Sequence, residues 1–419
     1  MDVSLVLTHD CNLGCGYCYT GAKFRRRMPR EVARKALELA FSRDRLGIAP
    51  REIELSYFGG EPLLELELLL DTARAAKERA EAAGVELRQT VTTNGTLLDA
   101  EKVRALHALD LYVALSIDGV RDAHELNRPR MGGGSSFEAV ERGLDALLAA
   151  GRSFETITVV TPSSARRLGD SVAWLFGKGV PRVSLNPCYE AAWSDEALAD
   201  WEHGMRGAAD AMAACMRAGR TVSVSTFDNK ILAALKGGLG AEDRCKLGDG
   251  FAAVSPDGWL YGCERLVGED DHPELRVGHV DTGLDARAVA CARPDVAEDR
   301  HAINAECAEC TERFRCAASC ACANRAETGD MQIAGGVQCW HEQTSARIAD
   351  TMAEALFGEQ NPTFLRWFYG RMGVDADALA EKLRSGELEL PLRRVEHAPA
   401  RQVARAGAPE GKRALPVVS

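Results

Sequence analysis

Fourteen cysteines, grouped rather than scattered, constrain this 419-residue chain more than any other feature. Three of them open the chain as Cys11-Asn-Leu-Gly-Cys15-Gly-Tyr-Cys18, and nine fall between Cys245 and Cys339. Disulfides are one use for so many thiols, but disulfide-stapled scaffolds are short and secreted. The opening stretch MDVSLVLTHDCN lacks the cationic and apolar run of a secretory signal. The expected compartment is therefore cytoplasmic. In a reducing compartment, CxxxCxxC and CxxC spacings read as metal or iron–sulfur ligation. Thiols at that density replace a large apolar core, so the chain from about Asp243 to Cys339 is expected to be loop-rich and organised by metal.

The rest of the chain reads differently. Hydrophobic residues make up 46% and charged residues 27%, the balance of a soluble globular protein. A net charge of −11 weighs against a nucleic-acid partner, and no apolar run approaches the roughly 18 residues of a membrane span. The first half alternates β-branched runs with amphipathic ones. Strands are expected at Val3–Thr8, Glu52–Tyr57, Glu86–Thr92, Leu111–Ser116, Glu155–Val160 and Arg182–Asn186. Helices are expected at Glu31–Ala40, Leu63–Ala83, Phe137–Ala150, Ala165–Gly177 and Ser194–Ala218. Such alternation predicts an α/β fold with a parallel sheet, and six strands fit a partial (β/α)6 barrel. Chemistry in such a barrel sits on the loops that follow the strands. The expected domains are a barrel over 1–230, a cysteine-rich domain over 240–345, a helical segment over 346–392 and a disordered tail over 393–419.

Motifs appear where the barrel needs them. Three thiolates in the Cys11–Cys18 loop can hold three irons of a [4Fe–4S] cluster and leave the fourth without a protein ligand. The alternative is a closed zinc site with His9 as fourth ligand. The second strand ends in Tyr57-Phe58-Gly59-Gly60-Glu61-Pro62, where two glycines permit close backbone approach to a ligand and Glu61 adds an acceptor. The third strand ends in Thr92-Thr93-Asn94-Gly95 and the fourth in Ser116-Ile117-Asp118-Gly119, followed by His124, Asn127 and Arg128. Asn-Gly is also a turn signal by itself.

With Tyr17 before its last cysteine, CNLGCGYC resembles the signature of the radical S-adenosylmethionine (SAM) superfamily. The resemblance implies a [4Fe–4S] cluster on Cys11, Cys15 and Cys18, with SAM chelating the open iron. It further implies that Gly59, Gly60 and Glu61 hold the methionyl ammonium of SAM, that Ser116 contacts its ribose, and that Asn94 and Asp118 line the same site. Arg142, on the next helix, is a candidate for the SAM carboxylate or a solvated helix residue. Reductive cleavage of SAM would then give a 5′-deoxyadenosyl radical that takes a hydrogen atom from substrate, hard chemistry that belongs to the cofactor.

The second cysteine set runs Cys245, Gly258, Cys263, Cys307, Cys310, Cys316, Cys320 and Cys339. Its spacing resembles the seven-cysteine pattern of the SPASM iron–sulfur domain, so that the two resemblances cover about residues 1–350. By this resemblance, Cys307, Cys310, Cys316 and Cys339 ligate an outer auxiliary [4Fe–4S] cluster. Cys245, Cys263 and Cys320 ligate an inner one, whose fourth position is open to Cys322, a non-cysteine ligand or water, or a substrate thiolate. Cys188, Cys215 and Cys291 fall outside the pattern and read as small buried hydrophobes. A pair of structural zinc knots is the alternative for the whole set.

Enzymes of this resemblance mostly modify peptides or proteins. The expected reaction is maturation of a ribosomally made peptide by an oxidative crosslink, with formylglycine formation by an anaerobic sulfatase-maturing enzyme as the alternative. Sulfatase-maturing relatives carry an eighth cysteine shortly after the first SPASM cysteine, and Lys246–Val254 contains none. They also place an acidic base after the second, where Glu264 stands; the bland reading of Glu264 is a surface carboxylate paired with Arg265. The expected partners are a peptide or protein substrate and an electron donor such as flavodoxin or ferredoxin. With the first strand at Val3, leader recognition would fall to a separate leader-binding protein, to the C-terminal segment, or to no leader at all.

Overall fold

The computed structural model describes residues 2–42, 50–240, 243, 245, 247, 250–286, 288–289, 304–307, 309–316 and 320–385. Within it the chain forms two compact units that interleave along the sequence. The first comprises Met1–Val159, Gly179–Asn186 and Lys246–Ala297; the second comprises Val160–Lys178, Pro187–Cys245 and Glu298–Ser419.

The first unit is built on strands β1 (Asp2–Val6), β2 (Glu52–Phe58), β3 (Glu86–Thr93), β4 (Leu111–Ser116), β5 (Glu155–Val160) and β6 (Arg182–Pro187), in that order across the sheet. Strands β1 to β5 are parallel, with Leu5 opposite Tyr57, Tyr57 opposite Val91 and Val91 opposite Val113. Those four side chains are fully buried. A parallel strand covered on both faces reads as a nearly continuous apolar run, which is why β4 is spelled LYVALS. Helices α1 (Arg30–Ala40), α2 (Leu66–Ala83), α3 (Ala100–Ala108), α4 (Arg121–Glu125) and α5 (Phe137–Ala150) fill the crossovers. Asp99 caps α3 through Lys102 N, and left-handed glycines Gly84 and Gly151 end α2 and α5.

The expected strands and helices of this half are present, with α3 and α4 added. The sheet also extends past β1. Strand β8 (Phe251–Val254) runs parallel to β1, with Leu5 opposite Val254, and β9 (Trp259–Tyr261), β10 (Arg276–His279) and β11 (Gly283–Leu284) follow antiparallel. Part of the segment expected to be loop is therefore continuous with the barrel sheet.

The second unit is helical. It contains α6 (Leu168–Lys178), α7 (Asp195–Arg217), the two-residue strand β7 (Ser223–Val224) and α8 (Ser225–Lys236). Beyond the cysteine-rich stretch come α9 (Ala321–Thr328), α10 (Gly336–Gly358), α11 (Pro362–Phe368) and α12 (Ala376–Ser385). The helix expected over Ser194–Ala218 is α7, and Ser194 caps it, accepting from Ala197 N. Helices α6 and α7 meet through glycine. A Cβ on Gly204 would lie 2.2 Å from Ala165 O, and one on Gly207 would lie 3.0 Å from Gly169 Cα. Trp201, fully buried on α7, stacks on Trp193 and His341 and lies tilted against Trp340. The expected tail over 393–419 lies outside the described residues. None of the described helices is long and apolar enough to cross a membrane.

Candidate functional site

The Cys11–Cys18 loop leaves β1 and is fixed by backbone bonds on two sides. On one side it meets the turn after β2: Gly60 N donates to Thr8 O (2.7 Å) and Glu61 N to Asp10 O (2.9 Å). On the other it meets the segment after α4: Gly14 N donates to Pro129 O and Gly16 N to Asn127 O, both 2.9 Å, while Met131 N reaches Asn12 O. The glycines are required by contact. A Cβ at position 59 would sit 2.6 Å from Thr8 O, and one at position 60 would sit 2.2 Å from Asp10 O, both backbone atoms that cannot move aside. The Gly-Gly pair thus serves the approach of protein backbone to the cysteine loop as much as any ligand.

Glu61 is wholly buried. Its Oε1 accepts from Leu63 N (2.9 Å) and Thr93 Oγ1 (2.7 Å), and its Oε2 from Asn94 N (2.7 Å). Burial pushes its carboxyl up, opposed by those three donors. It ties the end of β2 to the end of β3. Asn94 then turns toward the loop, donating through Nδ2 to Asn12 Oδ1 (2.8 Å) and lying 3.7 Å from Cys11 Sγ. Its Oδ1 accepts from Thr96 N.

At the end of β4, Asp118 is buried and accepts from Tyr17 OH (2.9 Å) and Val159 N (3.2 Å). Arg128, 4% exposed, donates to Tyr17 OH (2.7 Å) and stands 3.7 Å from Asp118. Burial pushes the Asp118 carboxyl up to about 6 in spite of Arg128 and these hydrogen bonds. The loop that carries Arg128 is latched by His124: Asp118 N donates to its Nδ1, its Nε2 meets Ser136 Oγ (2.9 Å), and Ser136 Oγ donates to Arg128 O (2.6 Å). Burial and Arg128 hold the His124 imidazole at about 3, so the ring is neutral and its proton sits on Nε2.

Cys11, Cys15 and Cys18 are all free thiols. Burial pushes Cys11 up to about 11 and raises Cys15. Cys18 is lowered: burial acts upward, but Lys23 Nζ, 2.9 Å from its sulfur, outweighs it. His9, considered above as a zinc ligand, stacks on Phe24 at 4.6 Å. Among the described residues, no group of three or more His, Cys, Asp or Glu is gathered closely enough to hold a single metal ion. The donor set nevertheless suits a thiolate-bound cluster. Three thiols share one short loop, N–H donors of Lys23 and Asn94 point at two of the sulfurs, and Arg128 presents a buried Nε with no partner.

Ser116 ends β4 half-buried. Arg142 is exposed on α5; the guanidinium that the fold buries beside Tyr17 and Asp118 belongs to Arg128. The sequence offered a signal for it, the His124-x3-Arg128 spacing, but no spacing rule tells a buried arginine from an exposed one. Cys263 follows β9, with Glu264 half-buried beside it and their side chains 3.8 Å apart. Arg265 lies over the ring of Tyr19 at 4.9 Å, and Tyr19 stacks on Phe58. The Cys263–Arg265 step is thereby held against the residue that follows Cys18.

In the second unit, Cys307 ends a short 3-10 turn (Ala305–Cys307), Cys310 lies between it and a second (Arg313–Arg315), Cys316 follows that second turn, and Cys339 lies in the first turn of α10. Arg315, fully buried, bonds Glu312 and both oxygens of Asp350 at 2.6 Å, clamping the turn before Cys316 onto α10. Burial pushes Cys339 up to about 11, reinforced by Cys310 and Cys307 nearby. Cys320 precedes α9, and its sulfur lies 3.5 Å from that of buried Cys322. Cys245 is half-buried, Cys188 is buried 3.8 Å from Glu190, Cys215 is half-buried on α7, and Cys291 lies outside the described residues.

Residues 5–175 match the model of the Radical SAM superfamily. An uncharacterized protein, MJ0907, of Methanocaldococcus jannaschii is 28% identical over 43% of this chain and 60% of its own length. A serine-type anaerobic sulfatase-maturating enzyme of Klebsiella aerogenes is 26% identical over 78% of this chain and 80% of its own. Among solved structures, native anSMEcpe with bound AdoMet and Cp18Cys peptide superposes with a TM-score of 0.66 at 19% identity, covering 91% of this chain and all of that one. Streptococcus suis SuiB bound to the precursor peptide SuiA gives 0.52 at 14% identity, covering 79% and 74%. The three-thiol loop, the Gly-Gly-Glu turn packed on it and the matched segment identify residues 5–175 as a radical SAM domain.

Proposed function

We propose that this enzyme oxidatively modifies a side chain of a ribosomally made peptide, a crosslink being the favoured outcome. The observation that carries the choice is the Lys246–Val254 stretch, which lacks the extra cysteine of sulfatase-maturing enzymes. The similarity in fold to peptide-bound anSMEcpe and SuiB supports a peptide as substrate. Formylglycine formation is the second reading, supported by the sulfatase-maturating relative and by the carboxylate of Glu264 after Cys263.

Cys11, Cys15 and Cys18 are assigned to hold a [4Fe–4S] cluster, and Cys307, Cys310, Cys316 and Cys339 an auxiliary one. When bound, the first cluster and SAM supply hydrogen-atom abstraction. The chain's own residues do the rest. Lys23 and Asn94 direct N–H groups at the thiolates. Arg128, with Nε unpartnered, is assigned to the SAM carboxylate in place of Arg142, and Tyr17 and Asp118 hold the guanidinium in position. Ser116 and the 59–61 turn border the same space. Glu264, fixed beside the cysteine loop by Arg265 on Tyr19, is assigned to take a proton from the substrate; such a base must reach its proton within about 3 Å or through one water.

The test uses anaerobically reconstituted protein, SAM and reductant with two peptides, one encoded beside the gene and one spanning a sulfatase maturation site. A crosslink removes a pair of hydrogens and leaves no carbonyl, whereas formylglycine yields an aldehyde that a hydrazide traps. SAM cleavage with neither peptide altered would refute both readings. Glu264→Gln should keep SAM cleavage and lose most product; product at the wild-type level would remove its assigned role.

A further inference from the structure

Helix α10 carries a side-chain amide to the second cysteine set. Cys339 lies in its first turn, and one helical turn later Gln343 lies on the same face. Its side-chain Nε2 is 3.5 Å from Cys339 Sγ and 4.0 Å from Cys310 Sγ, so one amide group spans two thiols of the outer set. Gln343 is half-buried, its neighbours Glu342 and Thr344 are buried, and α10 is pinned at Asp350 by fully buried Arg315. The amide is therefore carried on a rigid element, as outer-shell partners of metal ligands usually are.

Two carboxylates put negative charge near the same set: Glu306 is adjacent to Cys307, and Glu342 directly precedes Gln343 on α10. Glu342 is largely neutralised by its buried partner Lys230. Glu306 is exposed. A neutral donor aimed at two sulfurs is the counterweight to that negative field.

We infer that Gln343 sets the reduction potential of the auxiliary cluster held by Cys307, Cys310, Cys316 and Cys339, by donating hydrogen bonds to the sulfurs of Cys339 and Cys310. This rests on the assignment of that cluster. Adding an electron increases negative charge on the cluster and its thiolates, so an N–H donor stabilises the reduced form more than the oxidised form and raises the potential. Hydrogen bonds to sulfur are among the recognised determinants of iron–sulfur potentials. Gln343 is a positioning residue that acts through the ligands.

The experiment is an EPR-monitored redox titration of the full chain in which Cys11, Cys15 and Cys18 are replaced by Ala, so that auxiliary iron alone is read. Into it are introduced Gln343→Leu, which removes the donor, and Gln343→Glu, which keeps the size but offers an anion. The expected result is a lower midpoint in both, further lowered in the Glu variant. In the Leu variant the reduced-to-oxidised ratio at fixed potential should fall about tenfold, equivalent to about 59 mV for one electron. A midpoint unmoved in both variants, with iron content equal to the parent, would overturn the inference and leave the cluster assignment standing. Absence of auxiliary iron from the parent would overturn the cluster assignment, and the inference with it. If the Leu variant loses iron, the Glu variant decides: its midpoint must fall, and an unchanged value refutes the role.

Discussion

Replacing Glu61 by Gln tests whether this carboxylate is first of all an anchor of the fold. Its two oxygens accept three donors, and the residue has no exposure. A glutamine can keep its oxygen at the Oε1 position, retaining Leu63 N and Thr93. Its NH2 then faces the N–H of Asn94, donor against donor. One hydrogen bond to a charged acceptor is lost, about 1.5–3 kcal/mol, and one buried N–H is left unmet, about 1–3 kcal/mol. The sum, about 2.5–6 kcal/mol, is a large share of the roughly 5–15 kcal/mol that stabilises a folded domain. Urea unfolding of the reconstituted variant beside wild type should show a midpoint lower by roughly 1–2 M. An unchanged midpoint, with loss confined to SAM binding, would refute the anchoring argument and leave Glu61 as a ligand contact alone.

Three further outcomes follow from the same geometry. Replacing Cys11, Cys15 and Cys18 together by Ala should abolish SAM cleavage while leaving most auxiliary iron in place, as read by iron analysis; cleavage surviving in this variant would refute the ligand assignment. Arg128→Met should weaken SAM binding at least tenfold in equilibrium dialysis, whereas Arg142→Met should leave it unchanged; the reverse order would restore Arg142. His124 is held neutral at about 3, below its ordinary 6.5, so the unfolded chain binds the extra proton between those values and stability falls as pH drops from 6.5 toward 3. At pH 5.5 this costs about 1.4 kcal/mol relative to neutral pH, so His124→Gln should lose less stability than wild type between pH 7.5 and 5.5 in paired urea titrations.

Much of this was legible from residues alone, for identifiable reasons. Strands β1 and β4 announce themselves by near-continuous apolar runs, as in Leu111–Ser116, whereas β2, β3, β5 and β6 show the period-two alternation of strands buried on one face. Ser194 and the amphipathic stretch after it marked α7. The cysteine loop was legible because thiols have few other uses in such spacing. What escaped was whatever depends on partners distant in sequence. Strands β8 to β11 are two to four residues long and interrupted by Gly258, Gly278 and Gly283, too short for any period to emerge. Glu61 looked like a ligand contact because its protein donors lie 32 and 33 residues away. Arg142 and Arg128 cannot be ranked until the fold buries one of them.

The parallel pairing of β8 with β1 carries a practical consequence. Val3 and Leu5 are buried in β1, whose hydrogen-bonding edges are taken by β2 on one side and β8 on the other. A shortened protein ending before Lys246, chosen to isolate the SAM-binding half, would strip β8 away and turn β1 into an open apolar edge, a ready template for pairing between chains. The strand that leads directly into Cys11 would then be the one recruited into aggregates. The cysteine-rich half is thus the cover strip of the barrel sheet as well as a carrier of thiols, and the catalytic half is expected to stay soluble only while the chain continues at least through Val254.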